Sequence, residues 1–133
     1  MAGDPVRRLG GDPPSPWESD FGFSRVVVAG GFVFVGGTTS VGPGGMILGE
    51  TPYEQAAEIL RRILNELSRG GATTADVVSL RAYVTDASRA EEVGRAFGET
   101  FGRPGPLLTL VEVSGLIDPR MLVEIEAVAV ARA

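Results

Sequence analysis

The sequence predicts an α+β domain in which two amphipathic helices cover one face of a mixed β-sheet. Three observations predict it. Five segments are apolar or alternate in polarity over strand lengths, at 25–29, 32–35, 77–85, 106–114 and 121–131. Two longer segments carry apolar residues at helical spacing. The chain has 133 residues, which suits one domain with one core. The order is β-β-α-β-α-β-β, and two helices with one apolar stripe each hide best side by side on one sheet face. The other face is also apolar in places. Nothing in the chain is left to cover it, so an oligomer is expected.

Residues 1–16 are rich in Gly, Pro and charge and read as a flexible N-terminal arm, with a single domain over 17–133. Trp17, at the junction, either anchors the arm on the body or forms a ligand lid. Arg25–Ala29 and Phe32–Val35 flank Gly30-Gly31, a two-residue hairpin turn. Gly36, Gly37, Thr38, Thr39 and Ser40 then leave the sheet with no bulky side chain. The glycines mark either a bulge or strand end, or the close approach of a backbone or ligand. A Gly/Pro-rich loop fills 41–49.

Thr51, Pro52 and Glu54 open the first helix as N-cap, first helical residue and capping-box partner. Its stripe is Tyr53, Ala56, Ala57, Leu60, Ile63, Leu64 and Leu67, and Gly70-Gly71 ends it. In the strand over 77–85, alternation puts Val78, Leu80, Ala82 and Val84 on one face and Ser79, Arg81, Tyr83 and Thr85 on the other. Ser88 and Glu91 suggest a second capping box, ahead of a stripe of Ala90, Val93, Phe97 and Phe101. The strands over 106–114 and 121–131 follow, joined through Asp118-Pro119-Arg120.

Composition removes whole classes of chemistry. The chain has no Cys and no His, and all 12 basic residues are Arg. Thiolate nucleophiles, Cys/His zinc sites, histidine bases and lysine Schiff bases are therefore absent. No carboxylate run has calcium-loop spacing, so neither metal nor cofactor is expected. The net charge of -5 and scattered Arg make a poor nucleic-acid surface. No apolar run reaches membrane-span length, and the first residues lack the apolar core of a signal peptide, so a cytoplasmic protein is expected.

The last strand holds the candidate chemistry. Val123, Ile125, Ala127 and Ala129 form one apolar face, assigned to the helices. Leu122, Glu124, Glu126, Val128 and Val130 form the other, with the two carboxylates about 7 Å apart along the strand. Burial among apolar neighbours would raise a Glu pKa toward neutrality and fit it for proton transfer. Alternatively both acids pair with Arg81 or Arg120, or face water.

FSRVVVAGGFVFVGGTTS, VSLRAYVTD, GPLLTLVEV and VEIEAVAV together resemble the RidA/YjgF (Rid) family over roughly residues 17–131. The resemblance implies a chorismate-mutase-like α+β fold, with a mixed six-stranded sheet and two helices on one face. It also implies a homotrimer built as a central barrel, with small-molecule clefts between subunits. Well-known members hydrolyse enamines and imines from amino-acid metabolism without metal or cofactor. By this resemblance Glu124 positions or activates water. The position of the Arg that grips the substrate carboxylate falls on Leu108, and that of a strand Cys on Leu110. The hairpin Ser falls on Gly36, a helix Asn near Gly94, and the arm aromatic roughly on Trp17. A bidentate Arg–carboxylate grip is directional, and Leu cannot replace it. Arg25, Arg81, Arg103 and Arg120 carry no motif that would make them substitutes.

The expectation is a Rid-type enzyme acting on an imine, enamine or related compound, and not the standard 2-iminobutanoate deaminase. Gly37, Thr38 and Thr39 would add hydrogen bonds, and Leu108 and Leu110 an apolar wall. The alternative is a non-catalytic ligand-binding or accessory trimer on the same scaffold. An RNA-cleaving role is the third reading, opposed by the charge and by the lack of His and Lys.

Overall fold

The computed structural model describes residues 5–132. A six-stranded mixed sheet has the order β1-β2-β3-β6-β4-β5. The strands are β1 (Arg7–Leu9), β2 (Val26–Ala29), β3 (Phe32–Thr38), β4 (Val77–Val84), β5 (Leu107–Glu112) and β6 (Val123–Val130). Among the described residues only β4 and β5 pair in parallel. The helices are α1 (Pro16–Phe21), α2 (Pro52–Arg69) and α3 (Ala90–Phe101). As the sequence predicts, α2 and α3 pack together and build the core on one sheet face.

The core joins Ile59, Leu60, Ile63 and Leu67 of α2 with Val93 and Ala96 of α3. The sheet contributes Val33, Val35, Leu80, Ala82, Val84, Val123, Ile125, Ala127 and Ala129. Each fully buried Leu or Ile stabilises the fold by roughly 2 kcal/mol. Gly70 closes α2 where a Cβ would lie 2.6 Å from Val33 Cγ1. The helix end thus meets the sheet too closely for any side chain. Gly30 and Gly31 both take positive φ, 59° and 85°, as the tight hairpin requires.

Five local expectations are corrected. The described part of the expected arm joins the domain, because Arg7–Leu9 form the sixth strand against β2 and Pro16–Phe21 form α1. The strand that begins at Phe32 does not end at Val35. It continues to Thr38 across a register shift between Val35 and Thr38, a bulge that absorbs Gly36 and Gly37. A second shift, between Val77 and Ser79, breaks the alternation of β4. Val77 is therefore buried and Val78 is 40% exposed. The Ser88–Glu91 box does not form. Ser88 donates its hydroxyl to Asp86 Oδ1 at 2.6 Å, and Asp86 caps a short 3-10 turn ahead of α3. At α2, Thr51 caps as expected, but Glu54 turns its carboxylate to the Glu50 N–H.

The sheet face away from the helices is open. Phe32, Phe34, Val78, Leu107, Val111 and Val130 are all exposed. This is the uncovered apolar face that the sequence predicts.

Candidate functional site

A groove of about 880 Å³ opens at the end of the sheet where β3 leaves it. Its size falls within the roughly 300–1,000 Å³ of small-molecule sites. Glu124 lies in it with the β3 bulge, Arg25, the α1 segment, the loop around Val41 and the α2 residues Arg62 and Asn65.

The bulge explains how Glu124 is seated. A Cβ on Gly37 would lie 2.5 Å from Glu124 Oε2 and 3.1 Å from its Cδ. The carboxyl group occupies the space that a side chain at 37 would take. Gly36 is different, for a Cβ there would meet its nearest atom, Arg25 Nη1, at an ordinary 3.5 Å.

Arg25 holds the same bulge from the other side. Its backbone N–H donates to Leu9 O at 2.8 Å and its carbonyl accepts from Gly36 N at 3.0 Å, tying β1 to β3. Its guanidinium donates to Gly37 O at 2.7 Å, to Gly36 O at 3.1 Å and to Thr38 Oγ1. The Thr38 hydroxyl donates in turn to Gly36 O at 2.8 Å. That proton is committed, so Thr38 orders the bulge and has no hydrogen left for a ligand.

The two carboxylates of β6 part company. Glu126 accepts from Tyr83 Oη at 2.5 Å and lies 3.5 Å from Arg81, on the open sheet face. Glu124 has no hydrogen-bond or ion-pair partner among the described residues. Burial pushes its carboxyl above the usual carboxylate range, Arg25 pulls it down, and Glu126 adds a smaller upward push. Desolvation also lowers the pKa of Arg25, against the raising influence of Glu18, Glu66 and Glu124. A half-buried, unpaired carboxyl of this kind can carry a proton to or from a ligand.

The N-terminal segment is pinned over the groove by Glu18, which is only 8% exposed. Its carboxylate accepts from Gly11 N at 2.7 Å and from Ser15 N at 2.8 Å, and Ser15 completes a capping box on α1. Trp17, Phe21 and Phe23 thereby line the groove. Arg62 ties its far wall, donating to Glu58, Thr39 O and Val41 O.

Of the residues expected at the site, Trp17, Gly37, Thr38, Thr39 and Glu124 come together in this groove. Gly36 borders the open sheet face instead, in a smaller hollow of about 410 Å³. Gly94 lies exposed on α3, away from the groove. Leu108 and Leu110 pack against the core, because alternation along β5 turns Leu107, Thr109 and Val111 outward. Within one chain they form no part of the groove wall. Sequence reasoning did not place Arg25, Phe23, Arg62 or Met121 there. The one local signal was Arg25 itself, a charge at the mouth of an apolar strand facing two glycines. Arg81 faces the open sheet, and Arg120 is held by Asp118 and Gly45 O. Among the described residues no group of three or more acids could hold a metal ion.

Residues 16–131 match the family described as endoribonuclease L-PSP. An uncharacterised protein of Streptomyces coelicolor is 38% identical over 130 residues, covering 97% of this chain and 95% of that one. A RutC family protein of Pyrococcus abyssi is 32% identical over 110 residues, covering 80% of this chain and 84% of its own. A solved Mycobacterium tuberculosis member of the YjgF/YER057c/UK114 family has a TM-score of 0.84 at 42% identity, covering 96% of this chain and all of that one (100%). The yeast protein Mmf1 has a TM-score of 0.84 at 19% identity over 96% of this chain and 100% of its own, a likeness of fold alone. With its sequence matched along nearly its whole length and its fold shared with these structures, the chain belongs to the endoribonuclease L-PSP family, the RidA/YjgF group.

Proposed function

We propose that this protein is a small-molecule enzyme of the Rid type, in which Glu124 is the general acid/base for hydrolysis or tautomerisation of an imine, enamine or related compound. The observation that carries the reading is the unpaired, half-buried Glu124 carboxyl, raised in pKa and facing a groove of ligand size. In hydrolysis, Glu124 takes a proton from water as the water oxygen bonds to the imine carbon, and hands that proton to the imine nitrogen. Collapse of the resulting carbinolamine breaks the C–N bond, leaving a carbonyl product and ammonia or an amine. No metal or cofactor enters these steps.

The lack of an Arg at position 108 and the packing of Leu108 and Leu110 with the core argue against the standard 2-iminobutanoate substrate. The open sheet face supports a homotrimer with clefts between subunits. Leu108, Leu110 or Gly94 would join a cleft only through surface offered to a neighbouring copy. Sedimentation of wild type beside Val128→Arg tests the assembly, and a monomeric wild-type species would count against it.

The activity test compares wild type with Glu124→Gln. Imines are generated by an amine oxidase, giving no carboxylate, or by an amino-acid oxidase, giving an α-carboxylate. Release of ammonia is followed. Wild type should act on the first kind and the variant should lose about 10²-fold or more. Equal turnover by the two proteins removes Glu124 from the mechanism.

A second reading, a non-catalytic ligand-binding trimer, rests on the missing grip at Leu108. A ligand that raises Tm and is recovered unchanged would favour it. The family description points also to RNA cleavage, but a net charge of -5 and the absence of His and Lys weigh against that role here.

A further inference from the structure

Two ionisable groups of opposite sign line one groove, and neither makes an ion pair among the described residues. Arg25 is the less expected of them. A guanidinium has five N–H donors. Here three donate to the protein itself, to Gly36 O, Gly37 O and Thr38 Oγ1. Both hydrogens of Nη2 are spent, as is one of Nη1. The two that remain, on Nε and Nη1, belong to no common fork, so Arg25 cannot take a carboxylate in the paired, parallel manner. It cannot stand in for the grip missing at Leu108.

What Arg25 does hold is the bulge, at both of its carbonyls. The same bulge leaves Gly37 without a side chain at the spot where the Glu124 carboxyl sits. The groups form a chain: guanidinium, bulge, carboxyl. We propose that Arg25 is a positioning residue, clamping the β3 bulge that seats Glu124 and giving the groove a fixed positive charge in place of a carboxylate-gripping fork. The proposal rests on the reading of Glu124 as the reactive group. It adds that the ligand meets Arg25 as a charge and is not oriented by it.

Around the pair, Glu18 approaches from α1, Glu66 and Arg62 from α2, and Glu126 from the same strand as Glu124. Asp12 and Arg61 also line the groove, and Arg61 is paired with Glu58 at 2.6 Å. Of these, Glu18 holds the backbone of Gly11 and Ser15, Glu66 pairs with Arg69 at 2.8 Å, Arg62 pairs with Glu58, and Glu126 is held by Tyr83. Arg25 is the cation left to act on Glu124.

The experiment needs no substrate. The Glu124 side-chain carboxyl is titrated by NMR in protein carrying 13C-labelled glutamate, with Glu124→Gln identifying its resonance. Amide hydrogen exchange is measured over Gly36–Thr38 in the same proteins. Arg25→Gln, which removes the charge, should raise the Glu124 midpoint by about one pH unit. Arg25→Lys, which keeps the charge but cannot reach three acceptors at once, should leave the midpoint near wild type and speed exchange at the bulge at least about tenfold. An unchanged midpoint in Arg25→Gln overturns the electrostatic half. Should that variant not fold, Arg25→Lys decides the clamp, and wild-type exchange in it overturns the proposal. Both readouts are independent of turnover. A fully active Glu124→Gln would therefore sink the enzymatic reading without being mistaken for failure of the clamp.

Discussion

Replacing Gly37 by Ala puts a methyl group where the Glu124 carboxyl now sits. The added Cβ would lie 2.5 Å from Oε2 and 3.1 Å from Cδ, whereas ordinary contact begins near 3.4 Å. The carboxyl must withdraw by roughly 1 Å, the scale of misplacement that can cost about 10²-fold in rate. The fold itself should barely respond. Gly37 does not have a positive φ, so Ala strains no backbone there. The obstructing atoms belong to the end of a flexible side chain, and Ala also restricts the unfolded chain. Stability should change by less than about 1 kcal/mol in either direction. Gly36→Ala is the matched control, because its Cβ meets nothing closer than 3.5 Å and both properties should stay near wild type. Denaturant melts and turnover of amine-oxidase-generated imines are measured on both variants. Full activity in Gly37→Ala would refute the idea that the seat of Glu124 matters. A loss of several kcal/mol would show instead that the carboxyl is locked and cannot yield.

The other expectations concern stability. Because the folded state raises the pKa of Glu124, the stability this group contributes is present below its unfolded pKa and is lost as pH rises through the folded value. Glu124→Gln should therefore be more stable than wild type at about pH 7, by under about 1 kcal/mol since solvent screens the group, and equal to it at about pH 4; thermal melts at both pH values check this, and a gain of equal size at both would contradict it. Gln55 is buried to 1% exposure and bonds Gly49 O, Arg120 O and Leu122 N. Gln55→Leu should cost about 3 kcal/mol by urea denaturation, through buried groups left unpaired, and a change near zero would mean that they find other partners. Gly70→Ala drives a methyl into Val33 and should cost about 1–3 kcal/mol, whereas a neutral result would show that the end of α2 can shift away.

Much of the molecule was legible in the chain. The period-2 pattern of β6 assigned its helix-facing residues, and the 3.6-residue stripe of α2 found Ala56, Leu60, Ile63 and Leu67 of its buried face, though it took in the exposed Ala57 and passed over Ile59 and Gln55. Pro52 at the helix start and the Gly30-Gly31 turn appear where their chemistry puts them. The two acids of β6 were visible as candidates and the family resemblance singled out Glu124, but alternation does not tell which of them is free. Alternation says only that Glu124 and Glu126 share a face. Side-chain reach across the sheet decides the rest: Arg81 lies directly opposite Glu126, Tyr83 lies opposite Glu124 but extends diagonally to bond Glu126, and a bare Gly37 lies beside Glu124.

The fold class and the helix-covered face can be read from the order of residues, because burial periodicity and capping are written in residues a few positions apart. The two bulges, the edge strand from Arg7–Leu9, the placement of Leu108 and Leu110 with the core and the clamp of Arg25 on Gly36 and Gly37 emerge once the chain is folded. Each of these depends on contacts between distant segments, where a shift of one residue in register exchanges one face for the other.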